Sequence, residues 1–328
     1  MPDISSNMTW IFSGVGITII LIIAAYIRKH FLHGKFEPVV SVEGYDTKLI
    51  ELPKYQKQDI TALVNAAVSR EDRRLPSYNC GVFVEDTIHS VQRQTYKNWE
   101  LLFVDDCSTD DTEIIIKGFR DSRIHYFKNE KNRGAAISRN RALREAKGRW
   151  IAFLDSDDLW EPTKLERQVQ FMEDNGYAFS YTRYEEINTE SKPLGVEVSG
   201  PKHISKYGMY AYCWPGCLTV MYDTTKVGLI QIDDIKKNND YAMWLKVCQK
   251  VDCFLLDDCL AKYRRGRSGS ISSHGYITLV KWHYMLFYKV VDMNPILSAF
   301  MTCLNLICGF FKKIRYVRKI KPQIFIIT

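Results

Sequence analysis

The chain has 328 residues, 46% hydrophobic and 25% charged, which is enough for a globular core and excludes global disorder. Its formal net charge is +7, and Lys312, Lys313, Arg315, Arg318, Lys319 and Lys321 follow one another near the end with no acid among them. A basic tail of this kind points to a membrane surface, and the near-neutral remainder argues against the broad phosphate-backbone groove of a nucleic-acid binder. The nine cysteines form no CxxC pair, and Cys213 with Cys217 or Cys253 with Cys259 lack further His or Cys partners at zinc-site spacing, while scattered thiols fit a reducing compartment.

Met8 to Ile27 is an uncharged run of twenty residues, long enough to span a bilayer, with Trp10 and Tyr26 as interface aromatics. Arg28, Lys29 and His30 follow it, so the positive-inside rule places the body of the protein in the cytoplasm. The expectation is a single-pass protein of the inner membrane, with residues 1–30 as its anchor. Residues 31–74 read as a linker or as a displaced first strand, and they end in the charged run Ser69-Arg70-Glu71-Asp72-Arg73-Arg74.

From Leu75 the pattern alternates between helix and strand. Val84, Ile88 and Val91 recur at helical spacing. Leu101 to Val104 is a short apolar strand that runs into Asp105 and Asp106. Arg123 to Phe127 predicts another strand, and Ala135 to Lys147 a helix with Gly148 placed to stop it. Trp150 to Leu154 is a second apolar strand that ends in acids. Pro162 can open the next helix at its first position, and Ala178 to Tyr184 is strand-like. The succession predicts an α/β domain over 75–272, with a largely parallel sheet flanked by helices and ligands beyond the carboxyl ends of the strands. Residues 273–328 are expected to form C-terminal helices and a membrane-associated basic tail.

Two acidic clusters sit at strand ends: Asp105-Asp106-Cys107-Ser108-Thr109-Asp110 and Asp155-Ser156-Asp157-Asp158. Hard oxygen ligands in an Asp-x-Asp array suit Mg²⁺ or Mn²⁺, which keep waters and bridge substrate phosphates. Taken alone, either cluster reads equally well as a solvated turn that caps the next helix.

Five short motifs in order carry a resemblance. Pro76-Ser77-Tyr78-Asn79 with Gln94-Thr95-Tyr96, then Val104 to Asp110, then Asn132-Arg133-Gly134 with Ser138-Arg139-Asn140, then Leu154 to Asp158, then Asn239-Asp240-Tyr241 with Trp244-Leu245 together resemble the family 2 inverting glycosyltransferases of the GT-A (Rossmann-like) fold. The resemblance runs from about residue 75 to about residue 270. It implies roles by position. Asp106 corresponds to the carboxylate that meets the uracil ring of a nucleotide-sugar, with Pro76 and Tyr78 lining the same pocket. Asp157 corresponds to the metal ligand, with Asp155 at the sugar, ribose or metal, and Arg139 helps hold the donor. Asp240 corresponds to the general base. The family usually has Glu before this base, where this chain has Asn239. Asp240 also reads as the N-cap of a helix Tyr241 to Gln249, a position that can aim a carboxylate.

The expected reaction is inverting transfer from a nucleotide-sugar, of UDP type, to a lipid-linked or surface-polysaccharide acceptor. A divalent ion neutralises the departing diphosphate and one carboxylate takes the acceptor proton. One departure stands out. The strand expected directly before Pro76 is replaced by Ser69 to Arg74, which cannot be buried on both faces at tolerable cost. Ile60 to Val68 is the candidate replacement strand. If that strand is lost, the chain reads instead as a catalytically impaired relative, a nucleotide-sugar sensor or membrane scaffold. A nucleotidyltransferase would need a Gly-rich, Lys-containing phosphate loop after its first strand, which is missing here.

Towards the end, Lys262-Tyr263-Arg264-Arg265 and Ser268 to Ser272 resemble the family's late donor-side loop, where basic residues meet phosphates or are simply solvated. Pro295 to Phe311 is uncharged, but Ser298, Thr302, Asn305 and Gly309 weaken it as a span. An interfacial helix is the preferred reading, with a second span or a core helix as alternatives.

Overall fold

The computed structural model describes residues 60–65, 81–235, 237–266 and 276–320. The expected span at Met8 to Ile27, the charged run Ser69 to Arg74, the nucleotide-pocket residues Pro76 and Tyr78, and the loop Ser268 to Ser272 lie outside them.

Strand β1 (Ile60–Asn65) occupies the middle of the sheet. It pairs in parallel with β2 (Trp99–Asp105) on one side and β4 (Trp150–Asp155) on the other. Its register sets Asn65 beside both Val104 and Asp155, so three strand ends converge. Strand β3 (Ile124–Lys128) extends the parallel set beyond β2. On the far side of β4, strand β9 (Met221–Asp223) runs antiparallel and leads to β6 (Phe179–Ile187), β7 (Pro193–Val198) and β11 (Val317–Lys319). The long bulged strand β10 (Cys253–Arg264) pairs in parallel with β6 and carries the short strands β5 (Leu159–Trp160) and β8 (His203–Ile204).

The parallel strands are apolar on both faces because both faces are covered. Alternation sends Trp99, Leu101 and Phe103 to one side of β2, with helices α1 (Gly81–Gln92) and α4 (Lys164–Asn175). Leu102 and Val104 point to the other side, with α3 (Ala135–Glu145) and α7 (Asn239–Val247). Trp244 anchors α7 there, its ring edge-on to Phe153 at 5.2 Å and tilted over Phe179 at 5.6 Å. Helix α2 (Thr112–Gly118) and the short helices α5 (Lys206–Ala211) and α6 (Thr224–Val227) fill the connections. Helix α8 (Tyr276–Met285) continues into a π turn at Leu286–Val290, and α9 (Pro295–Arg315) follows.

Three local expectations need correction. Helix α3 ends at Glu145, with Ala146 already extended, so Gly148 does not stop it. Gly148 is needed for packing: a Cβ there would lie 2.5 Å from the Thr61 backbone nitrogen, and its N–H donates to Thr61 Oγ1 at 2.8 Å. Pro162 is not the first residue of α4, whose N-cap is Thr163; its carbonyl instead accepts from the Thr95 N–H at 2.8 Å. Asp240 does not cap α7. The cap is Asn238, held in the left-handed region at φ 58°, and Asp240 lies inside the first turn. An asparagine tolerates that conformation better than most side chains.

Candidate active site

The turn after β4 lies at the carboxyl end of the central strands. Asp155 closes the strand with its side chain 35% exposed, and its Oδ1 accepts from Arg139 Nη2 at 2.7 Å. Arg139 rises from α3, and its Nη1 donates to Asn239 Oδ1 at 2.6 Å. One guanidinium therefore joins the Asp-x-Asp turn to the first turn of α7, where Asp240 lies. Burial opposes the positive charge of Arg139, but the acid groups of Cys217, Asp155 and Asp240 raise its pKa overall. Burial pushes the Cys217 thiol well above its usual range, so at neutral pH the two carboxylates carry this effect.

Asp240 is half-buried, and its Oδ1 accepts from the Tyr241 N–H at 2.8 Å. Burial raises its pKa above the ordinary aspartate value. Arg139 and the Tyr241 amide pull it back, and Asp155 adds to the rise. A carboxylate made more basic in this way is better suited to accept a proton near neutral pH.

Asp157 and Asp158 part company although they are adjacent. Asp158 is 1% exposed and accepts from the Arg264 N–H at 2.8 Å. Burial, then the charges of Asp157 and Asp155, push its pKa well above the usual range. The Asp158 and Ser156 carbonyls also accept from Thr87 Oγ1, at 2.9 and 3.1 Å, which locks the turn onto α1. Asp158 is thus part of the turn's foundation, and the half-buried Asp157 stays on the surface side. Among the described residues, no group of three His, Cys, Asp or Glu side chains is arranged to hold a metal ion. Asp155 and Asp157 offer hard oxygens on one turn. That donor set fits a Mg²⁺ or Mn²⁺ ion that keeps waters and shares a diphosphate, and not a closed protein cage.

The turn after β2 is used differently. Asp106 is 3% exposed. Its carboxylate accepts from Asn129 Nδ2 at 2.8 Å, from the Arg133 N–H at 2.9 Å and from the Gly134 N–H at 2.6 Å. It anchors the loop that precedes α3, where Gly134 turns at φ 93°. Asp105, fully buried, accepts from the Ser108 N–H and from Tyr126 Oη.

Several residues that stood in the motifs without a structural role make contacts here. Asn239 is the partner of Arg139. Asn140 makes a two-way hydrogen bond with the Ile232 backbone and holds the segment that leads to α7. Arg264 donates to the Asp157 carbonyl through Nε and to the Asn188 and Thr189 carbonyls through Nη1. Arg265 pairs with Glu186, and Lys262 with Glu161 and Glu185. The basic residues of 262–265 all make contacts within the chain. Only the adjacency of Arg264 to an acidic turn in space, invisible in sequence, reveals its role.

The layered sheet with acids at the carboxyl ends of its central strands is the arrangement expected for the GT-A fold. A family model described as "Glycosyl transferase family 2" matches residues 75–212. The chain is 42% identical over 227 residues to a Bacillus subtilis protein named as a teichuronic acid biosynthesis glycosyltransferase, TuaG, covering 68% of this chain and 89% of that one. It is 42% identical over 207 residues to the Escherichia coli UDP-Glc:alpha-D-GlcNAc-diphosphoundecaprenol beta-1,3-glucosyltransferase WfaP, covering 63% of this chain and 81% of that one. Among solved structures, S. aureus TarS 1-349 in complex with UDP-GlcNAc superposes with a TM-score of 0.57 at 18% identity, covering 79% of this chain and 74% of that one. The chain belongs to glycosyl transferase family 2, and it is a glycosyltransferase.

Proposed function

We propose that the chain transfers a sugar from a UDP-sugar to a lipid-linked acceptor with inversion at the anomeric carbon. The observation that carries this reading is the Arg139 bridge, which holds the Asp155 carboxylate and the α7 turn bearing Asp240 in one site. The TuaG and WfaP names support the substrate class, since one is named for teichuronic acid biosynthesis and the other for glucosyl transfer to a diphosphoundecaprenol-linked GlcNAc.

In the proposed reaction, the acceptor hydroxyl oxygen attacks the anomeric carbon from the face opposite the nucleotide. Its proton passes to the Asp240 carboxylate. The bond from the anomeric carbon to the diphosphate oxygen breaks, and its electron pair leaves with the diphosphate. Asp155 and Asp157 would hold a Mg²⁺ or Mn²⁺ ion, which supplies charge neutralisation for the leaving group. Asp106 holds the loop that would wall the nucleotide pocket, and a uracil N–H there would share an oxygen that already has chain donors. Pro76 and Tyr78 complete the proposed pocket. The first stretch of the chain, Met8 to Ile27, is proposed as a membrane anchor with the catalytic body on the cytoplasmic side, where UDP-sugars are found.

The rival reading of an impaired relative drew on the missing strand before Pro76. With β1 at Ile60–Asn65 seated between β2 and β4, that motive is gone. The test uses the full chain, a panel of UDP-sugars, Mn²⁺ and a polyprenyl-diphosphate-linked sugar. Product linkage is read by NMR. A product that keeps the donor's anomeric configuration, or full transfer by Asp240→Asn, would sink the proposal.

A further inference from the structure

Helix α9 is amphipathic in reverse. The side chains it buries against the rest of the protein are Ser298, Met301, Thr302 and Asn305. Gly309 lies on the same side, where a Cβ would meet the Tyr212 ring at 2.9 Å. The donors on this face have partners. Thr302 Oγ1 donates to the Ser298 carbonyl at 2.7 Å, and Asn305 Nδ2 donates to the Ala211 carbonyl at 3.2 Å and to Tyr241 Oη at 2.9 Å. Near the end of the helix, Lys312 Nζ turns inward to the Trp214 carbonyl at 2.8 Å.

The outer face is apolar. Ile296 is 85% exposed, Ile314 68%, Phe310 57% and Phe311 53%, with Leu306 and Ile307 also exposed. At 100° per residue these six side chains fall in one stripe of about 140°. Lys313 lies at one edge of the stripe and Arg315 at the other, and Arg318 and Lys319 follow in β11; all four are exposed. No acid occurs from Met293 to the end of the sequence.

A continuous apolar stripe of this length is costly in water and marks a contact surface. The helix does not cross a bilayer on its own in this arrangement, because its polar side is buried against the protein, with Asn305 bonded to α5 and α7 and Lys312 to the Trp214 carbonyl. It can lie flat. Basic residues on both edges of an apolar stripe match the boundary between acyl chains and anionic headgroups, where long side chains reach outward to phosphates.

We propose that α9 lies in the plane of an anionic bilayer surface, with its apolar stripe in the acyl layer and Lys313, Arg315, Arg318 and Lys319 at the headgroup phosphates. This fixes the orientation of the catalytic unit on the membrane independently of any anchor in the first thirty residues. The Asn305–Tyr241 hydrogen bond ties the docked helix to the residue beside Asp240, so docking also sets the height of the proposed base above the lipid. The purpose of the arrangement rests on the lipid-linked-acceptor reading; the docking itself does not.

The test places the photoreactive p-benzoylphenylalanine at Phe310, or at the exposed control Ile114 in α2, in the full chain. The protein is reconstituted in vesicles rich in phosphatidylglycerol and irradiated. Phe310 is expected to cross-link to lipid and Ile114 not to, with the Phe310 yield falling when phosphatidylcholine replaces phosphatidylglycerol. Cross-linking of position 310 to a second copy of the chain, no lipid adduct at that position, or a yield indifferent to headgroup charge would overturn the proposal. In parallel, Phe310→Ser with Phe311→Ser is expected to leave water-phase hydrolysis of the UDP-sugar unchanged and to reduce transfer to a vesicle-embedded acceptor about tenfold. Loss of both activities would trace to the site; unchanged transfer would count against the docking.

Discussion

Two acid-rich turns, each closing an apolar parallel strand, look alike in sequence and are built for different tasks. After β2, Asp105 and Asp106 are buried and surrounded by chain donors: Ser108, Tyr126, Asn129, Arg133 and Gly134. After β4, Asp158 is buried and accepts from the Arg264 N–H, whereas Asp155 and Asp157 are part-exposed, with Asp155 accepting from Arg139. Buried carboxylates with several donors fix a loop in place, because leaving those donors unpaired costs more than the bonds themselves gain. Half-exposed carboxylates beside one arginine keep acceptor capacity for a ligand. The first turn is bonded as a scaffold for the loop before α3, and the second is the one proposed to carry the chemistry.

The sharpest separation comes from Asp240, the proposed base, which Arg139 links to the second turn. Asp240→Asn is expected to lower kcat by about 10³-fold. Its melting temperature should not fall, because the folded state raises the Asp240 pKa and so disfavours its ionised form; a neutral amide removes that cost. A large loss of stability would instead make Asp240 structural. Asp157→Asn comes next, with an expected loss of about 10²-fold in transfer and a melting curve that overlays the parent's. If it melts early and keeps its rate, the two turns are not divided as described.

The reverse pattern is expected for Asp106→Ala. Removing the acceptor of the Arg133 and Gly134 amides should cost about 3 kcal/mol, a fall in melting temperature of roughly 6–12 °C. Thermal unfolding followed by circular dichroism measures it. Retained stability would mean that the 129–134 loop finds other acceptors.

The smallest expected effect is a shift in pH profile. A base works only when ionised, so the rate is lost as pH falls through the raised pKa of Asp240. Arg139 lowers that pKa. Arg139→Gln should therefore move the acid limb of kcat/KM to higher pH, and Arg139→Lys should move it less. An acid limb that stays fixed in both variants would separate Arg139 from Asp240 electrostatically.

Much of this architecture was legible in sequence because it is written in short windows. The apolar strand before Asp105 and the one before Asp155 are each a few residues long, and Val84, Ile88 and Val91 mark α1 by spacing alone. The candidate carboxylates followed from their place at strand ends. Local boundaries were less legible. Gly148 looked like a helix stop and proved to be a packing requirement against Thr61, a residue 87 positions away. Asp240 looked like a cap, a role that Asn238 takes by adopting a left-handed turn.

The sequence by itself determined the order of elements, the family and the set of candidate acids, because periodicity and motifs need only neighbours along the chain. The tertiary structure alone decided which acids are buried and which stay part-exposed. Arg139 meets Asn239 across 100 positions, and Arg264 reaches the Asp158 carboxylate across 106. It also decided which face of α9 is inside. The sequence presents Ser298, Thr302 and Asn305 as flaws in an apolar helix, and the fold makes them the buried contact: the Ser298 and Thr302 hydroxyls donate to the Met293 and Ser298 carbonyls of their own segment, and Asn305 reaches the Ala211 carbonyl and Tyr241 Oη.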